Sequence, residues 1–96
     1  AWEARKAAAK GRTSSLDGIA YSLSSVARSA KVISRARTRG VGVKLADEPI
    51  TAAETGGQLL TLIARAQASG VDADQALRDR LRDLEDEIRK AECRTD

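Results

Sequence analysis

An all-α fold is what this sequence predicts, and three observations carry that expectation. Apolar residues recur at three- and four-residue intervals through most of the chain. Helix-opening and helix-closing residues bracket each such stretch, and no alternating strand pattern separates them. The stretches give three main helices, about 15–38, 52–69 and 73–92, with a partial helix at 2–10.

Taken in order, residues 2–10 are alanine-rich and helix-prone, and Gly11 ends them. In "RTSS", Ser14 or Ser15 supplies an N-cap, and Asp17 falls in the first turn, where its charge favours the helix dipole. The stripe that follows is Leu16, Ile19/Ala20, Leu23, Val26/Ala27, Ala30 and Ile33. Gly18 lies early in it, at a local cost in helix stability. Gly40 stops the helix after a basic last turn of Arg35, Arg37 and Arg39. Residues 40–50, "GVGVKLADEPI", hold two glycines and the one proline and read as a connector.

The stretch "TAAETGGQLL" then opens the second helix. Thr51 and Glu54 form the T-x-x-E pattern of a capping box, in which each side chain satisfies a backbone amide at the other end of the turn. Leu59, Leu60, Leu62, Ile63 and Ala66 carry the helix to Ser69, and Gly70 closes it. Asp72 caps the last helix, with Gln75 three residues on. Its stripe is Leu77, Leu81, Leu84, Ile88 and Ala91, and Glu85–Arg89 and Asp86–Lys90 stand at i,i+4 on its charged side.

Composition narrows the function classes. Ninety-six residues make one small domain. Phe and Met are absent, and Trp2 and Tyr21 are the only aromatics, so the core is marginal alone and burial against another copy or domain is expected. No apolar run is long enough to span a membrane, and no signal peptide opens the chain. "AWEARK" begins mid-pattern, as a cut inside a longer protein would. Cys93 is the one cysteine and there is no histidine. That excludes an internal disulfide, serine–histidine and cysteine–histidine nucleophiles, and in practice a structural zinc site. A lone thiol fits a reducing cytoplasm. The net charge of +3 divides unevenly: residues 1–44 hold ten Lys/Arg against two acids (+8), and residues 45–96 hold seven against twelve (−5). Either a basic arm meets nucleic acid, or two oppositely charged helical faces complement one another; the second reading is preferred.

Three groups are candidates for chemistry. Glu54 is a potential metal ligand already offered a place in the capping box. Gly56 and Gly57 beside it read as a flat face for close helix approach; no phosphate-cradling glycine loop is present. Asp79, Asp83, Asp86 and Glu87 cluster on one side of the last helix and could hold Mg²⁺, though a solvated face, or one meeting Arg28, Lys31 and Arg35, is the simpler account. Trp2 and Lys6, four residues apart, could stack a base and hold a phosphate, or could be an apolar anchor beside a solvated lysine.

Two longer stretches carry a family resemblance. "WEARKAAAKGRTSSLDGIAYSLSSVARSAKVISRA" resembles the segment joining the halves of MazG-type nucleoside triphosphate pyrophosphohydrolases, matching at Trp2, Glu3, Lys6, Ala7, Lys10, Ser14, Leu16 to Ile19, Ser22, Leu23, Arg28 and Lys31. "ETGGQLLTLIARAQASGVDADQAL" resembles a later stretch, E-x-G-D-L-L followed by G-V-D-P-E-x-A-L. What the resemblance implies is an enzyme that converts a nucleoside triphosphate to the monophosphate and pyrophosphate. Its active repeats hold Mg²⁺ between an E-E-x-x-E helix and an E-x-x-D helix, and the ion activates water and screens the phosphates.

Matched residue by residue, the catalytic set is incomplete. Glu54 matches the first acid of E-x-x-D, but Gly57 stands where its aspartate would be. The E-E-x-x-E helix has no room between Gly40 and Ala53. Leu81, Asp83 and Glu87 replace the asparagine, lysine and arginine that orient the triphosphate. The expectation is therefore an all-α, three-helix remnant of a MazG-type four-helix repeat, dimeric. Residues 1–11 are the tail of the closing helix of a preceding catalytic repeat, and 12–96 a degenerate C-terminal domain. The segment would have no catalytic residue and no metal of its own, Glu54 being vestigial, while Mg²⁺ serves the full enzyme. Trp2 and Lys6 would bind substrate only together with the missing repeat. Expected partners are a second copy, the protein's own catalytic repeat and, through the full enzyme, nucleoside triphosphates; the alternative is a basic nucleic-acid-binding module.

Overall fold

The computed structural model describes residues 14–94, and three α-helices make up its regular structure: α1 (Ser25–Thr38), α2 (Ala52–Ala68) and α3 (Ala73–Arg94). No strand occurs among the described residues. The expected partial helix at 2–10 lies outside them. The second and third helices fall within a residue or two of their predicted bounds; the first does not.

Residues 15–18 form a turn, and α1 begins only after Ser24. Local side chains explain the delay. Ser14 donates its amide to Asp17 Oδ2 at 3.1 Å, and the Ser14 hydroxyl accepts the Leu16 amide at 3.1 Å. Such short-range bonds compete with the helical ladder. Gly18 then takes φ +86°, a left-handed value no helix interior holds. Ser24, not Ser14 or Ser15, is the N-cap, its hydroxyl accepting the Ala27 amide at 3.2 Å.

Two glycine-terminated ends work alike. Gly40 (φ +66°) and Gly70 (φ +73°) close α1 and α2. In each, the next amide reaches back to the carbonyl five residues earlier, Val41 to Ala36 at 3.0 Å and Val71 to Ala66 at 2.8 Å, so carbonyls that a helix end leaves open are satisfied.

The core lies between α1, α3 and the 15–19 turn. Leu16, Ile19, Val32, Ala36, Leu81, Leu84 and Ile88 are buried, and Val32 and Ile88 are wholly so. On α3 the predicted stripe holds: Leu81, Leu84 and Ile88 are buried, Leu77 and Ala91 half-buried. On α1 it is displaced. Val26 is 56 % exposed and Ala30 is exposed, while Ser25, Val32 and Ala36 face inward. Arg28 shares that inner side because it meets Glu85 across the interface with α3, so the burying face is partly polar and its period in apolar residues is misleading.

The connector also does more than connect. Val41, Val43 and Leu45 pack on the core while Gly42, Lys44 and Ala46 point out. That is a period-two pattern, "VGVKL", in a segment without regular structure, its Val43 amide donating back to the Val41 carbonyl at 2.9 Å. Arg37 fixes it to α1 by donating to the Ala46 carbonyl at 2.6 Å.

Candidate functional site: an unpartnered helix face

The residues singled out for metal chemistry are dispersed or already engaged. Glu54 closes the predicted capping box: the Thr51 hydroxyl accepts the Glu54 amide at 3.1 Å, and Glu54 Oε1 accepts the Thr51 amide at 3.2 Å and the Thr51 hydroxyl at 2.9 Å. Gly57, at the position of the missing aspartate, offers no side chain, and a Cβ added there would meet nothing within 4 Å. Asp79 accepts from the Gln75 amide group at 2.9 Å on its own helix, and Glu87 lies 3.7 Å from Arg80. Asp83 and Asp86 are exposed. Leu81 is buried in the core. Among the described residues, no three His, Cys, Asp or Glu side chains converge to hold a metal ion. The donor set that would hold the Mg²⁺ of an active repeat is therefore not assembled by these residues. Trp2 and Lys6 lie outside the described residues.

The acidic face of α3 meets α1 through a different acid from those foreseen. Glu85, buried on the inner side, pairs with Arg28: its Oε2 accepts from Nε at 3.2 Å and lies 3.2 Å from the second nitrogen, both side chains only 11 % exposed. Arg28 also donates to the Ile19 and Ala20 carbonyls and lies 4.6 Å from the centroid of the Tyr21 ring, a cation–π distance. Glu85 thus turns away from Arg89. Beside this pair a cleft of about 160 Å³ is lined by Tyr21, Ser25, Arg78 and Arg82. Arg35 donates to the Ser15 and Asp17 carbonyls at 3.0 and 2.9 Å. With Arg37 on Ala46, three of the basic residues that could have met a phosphate backbone are committed to holding the fold together.

Two carboxylates are tuned by their surroundings. A hydrogen bond from the Ser25 hydroxyl, then one from Arg78 at 2.9 Å, holds Asp74 below its usual range. Burial pushes Glu92 up, but its contacts outweigh that and its pKa ends below the ordinary value. The Ser15 amide donates to it at 2.9 Å and the Ser14 hydroxyl at 2.8 Å, with the Arg39 charge adding to both. The buried Ser15 hydroxyl forms no well-shaped hydrogen bond, yet its dipole adds to the same pull. Glu92 anchors the turn before α1 to α3, and Asp74 anchors the first residue of α1 itself.

The strongest surface feature is α2. None of its residues is buried. Leu59, Leu60, Leu62 and Ile63 are 43 %, 68 %, 58 % and 50 % exposed, and Ile50 and Val71 flank them at about half exposure. Each large aliphatic side chain fully withdrawn from water is worth roughly 1.5–3 kcal/mol, so this helix leaves a large fraction of its hydrophobic energy unrealised. At 100° per residue, Leu59 and Ile63 share one side, and Glu54 lies diametrically opposite Ile63. Its two charged residues, Glu54 and Arg65, both sit on that far side with Gln58 and Thr61, lining an open groove. Sequence periodicity found this apolar side; it could not say that no other part of the domain would cover it.

Comparison with known proteins adds one relative. Over 92 residues, 95 % of the chain, it is 37 % identical to a Streptomyces cacaoi protein known as "Uncharacterized 26.1 kDa protein in blaB 3'region". The chain spans only 37 % of that relative's length. No family model matches, and no solved structure matches. No helix among the described residues is long and apolar enough to cross a membrane.

Proposed function

We propose that this chain is a non-catalytic helical assembly domain: α1 and α3 form a closed platform, and α2 is the surface by which it joins another protein surface. The observation that carries this reading is a well-capped 17-residue helix with no buried residue and four large aliphatics in water. Exposed apolar area concentrated on one element marks an interaction site. Two further observations support it. Glu54 is used in the helix cap, and Leu81 in the core.

In the longer protein, following the resemblance, the domain would belong to a Mg²⁺-dependent MazG-type enzyme that releases pyrophosphate from nucleoside triphosphates. It would dimerise or brace that enzyme's catalytic repeat while doing no chemistry itself. A relative more than twice as long as this chain leaves room for such a repeat. Incubating the chain with Mg²⁺ and mixed deoxynucleoside triphosphates should give no pyrophosphate above a protein-free control. Release well above that control would overturn the non-catalytic assignment.

A further inference from the structure

The cleft between the start of α1 and the first half of α3 gathers three arginines, Arg28, Arg78 and Arg82, around Tyr21 and Ser25, with Glu85 beside them. Like charges collected around one hollow repel unless something negative stands among them. Two of the three are answered. Arg28 spends its guanidinium on Glu85 and on the Ile19 and Ala20 carbonyls, and Arg78 donates Nε to Asp74 at 2.9 Å. Arg82 is not answered: among the described residues it forms no ion pair. Its own helix offers it acids. At 100° per residue, Asp79 and Asp86 lie to one side of Arg82, and Arg78 and Glu85 to the other. Arg82 lines the cleft on the second side and leaves both aspartates alone.

We propose that this cleft binds a small monocarboxylate that carries a flat group. The carboxylate sits between the Arg82 guanidinium and the terminal nitrogens of Arg78, and the flat group lies on the open face of Tyr21. Charge sets the valence. Glu85 balances Arg28 and Asp74 balances Arg78, so one positive charge remains, and a monoanion neutralises it. A dianion such as a phosphate monoester would bring a second negative charge up to Glu85 and Asp74. Geometry sets the group, because planar guanidinium donors match the two oxygens of a carboxylate in parallel pairs. Size sets the reach. The cleft's volume of about 160 Å³ is roughly half that of the smallest clefts enclosing a drug-sized ligand, about 300 Å³. It therefore takes a head group and leaves the remainder outside. What stands outside is Tyr21, 84 % exposed, with Arg28 4.6 Å from its ring centroid on one face. The other face is left for a second ring to stack on. The cleft shares no residue with α2, so it stands or falls apart from the assembly role.

NMR titration of the isotope-labelled chain with benzoate, at ionic strength held constant with chloride, tests this. The expected result is saturable shifts of the Arg78 and Arg82 side-chain Nε–H signals, with acetate binding more weakly and inorganic phosphate more weakly still. Arg82→Gln should lower benzoate affinity at least about tenfold, through loss of charge-assisted hydrogen bonds. Arg82 is exposed and forms no ion pair among the described residues, so the circular dichroism and urea midpoint of that variant should match the parent. Tyr21→Leu should bring benzoate down to the affinity of acetate. Arg89→Gln, at an exposed arginine elsewhere on α3, should change nothing. Shifts that rise without saturating, or that appear at every exposed arginine alike, would reduce the effect to surface charge and overturn the proposal. Phosphate binding more tightly than benzoate would overturn the carboxylate assignment, and acetate equal to benzoate would overturn the part given to Tyr21. A blocked aspartyl peptide binding more tightly than benzoate would overturn the small-molecule source, in favour of an acidic segment of another protein.

Discussion

Two of the helices in this chain, α1 and α2, each begin at a capped N-terminus, α2 with the fuller capping box, and end at a left-handed glycine, yet their situations differ completely. α1 faces α3 over Val32 and Ile88, both fully buried, and Arg28 finds Glu85 there. α2 has four leucine and isoleucine side chains available and buries none. Good local signals therefore make a helix, but they do not give it a tertiary partner. The more apolar of the two is the one left in water, while the core is built by α1, α3 and the 15–19 turn, with the 41–45 segment packed on it.

That contrast can be broken most forcefully at its buried end. Ile88→Ala empties a fully buried site in the core and should cost about 2–5 kcal/mol, a large part of the stability of a small domain. The equivalent change on α2, Leu60→Ala, should move the urea midpoint of the monomer very little. If the two variants lose comparable stability at concentrations where the chain is monomeric, α2 is not the loosely held element described above.

Next in size is the Arg28–Glu85 pair. Glu85→Ala strips a nearly buried guanidinium of its counter-charge, for a loss of about 3 kcal/mol. The exposed pair Arg78–Asp74, at i,i+4, should contribute far less, because water screens it. Arg78→Ala is the clean test, since Asp74 also holds Ser25. Chemical denaturation of both variants measures the difference directly, and equal losses would show that burial does not distinguish them.

A third difference is in pH. Asp74 and Glu92 both have folded pKa values below their ordinary ones; Asp74 ties the first residue of α1 to α3, and Glu92 ties the turn before α1 to it. A lowered carboxylate binds fewer protons folded than unfolded, so its contribution is fully present above the unfolded value and is lost as pH falls through the folded one. Stability should therefore drop on acidification below about pH 4.5, and the α1–α3 platform should feel it. Glu92→Gln should flatten that dependence. An acid limb unchanged in Glu92→Gln would count against the anchoring role of this carboxylate.

Much of this was legible in the residues, and the exceptions have causes. The bounds of α2 and α3 follow from Thr51, Glu54, Gly70 and Asp72, whose bonds are local and need no knowledge of the fold. The start of α1 was placed ten residues too early because Leu16, Ile19 and Leu23 keep a helical spacing by coincidence. They reach the core from a turn held by Glu92 and Arg35, contacts 77 and 20 residues away in sequence. The alternation of Val41, Val43 and Leu45 is visible but short, and Gly42 stands within it. As for the site, Glu54 in a cap could be read from T-x-x-E alone, whereas the pairing of Glu85 with Arg28 depended on how two distant helices face each other.

The finest test compares the two caps. Ser24→Ala and Thr51→Ala each remove one side-chain acceptor from a helix start, a loss of about 1 kcal/mol by chemistry alone. At Ser24 the first turn of α1 is coupled to the core, since Ser25 is buried against Asp74 and Arg28 follows within the same turn. Fraying there must disturb the platform, so the whole loss should appear in the global unfolding transition. At Thr51 the freed turn touches nothing buried. The loss should appear as faster hydrogen exchange confined to the first turn of α2, with the global midpoint of the monomer unmoved. Identical chemistry would then give a global effect in one helix and a local one in the other.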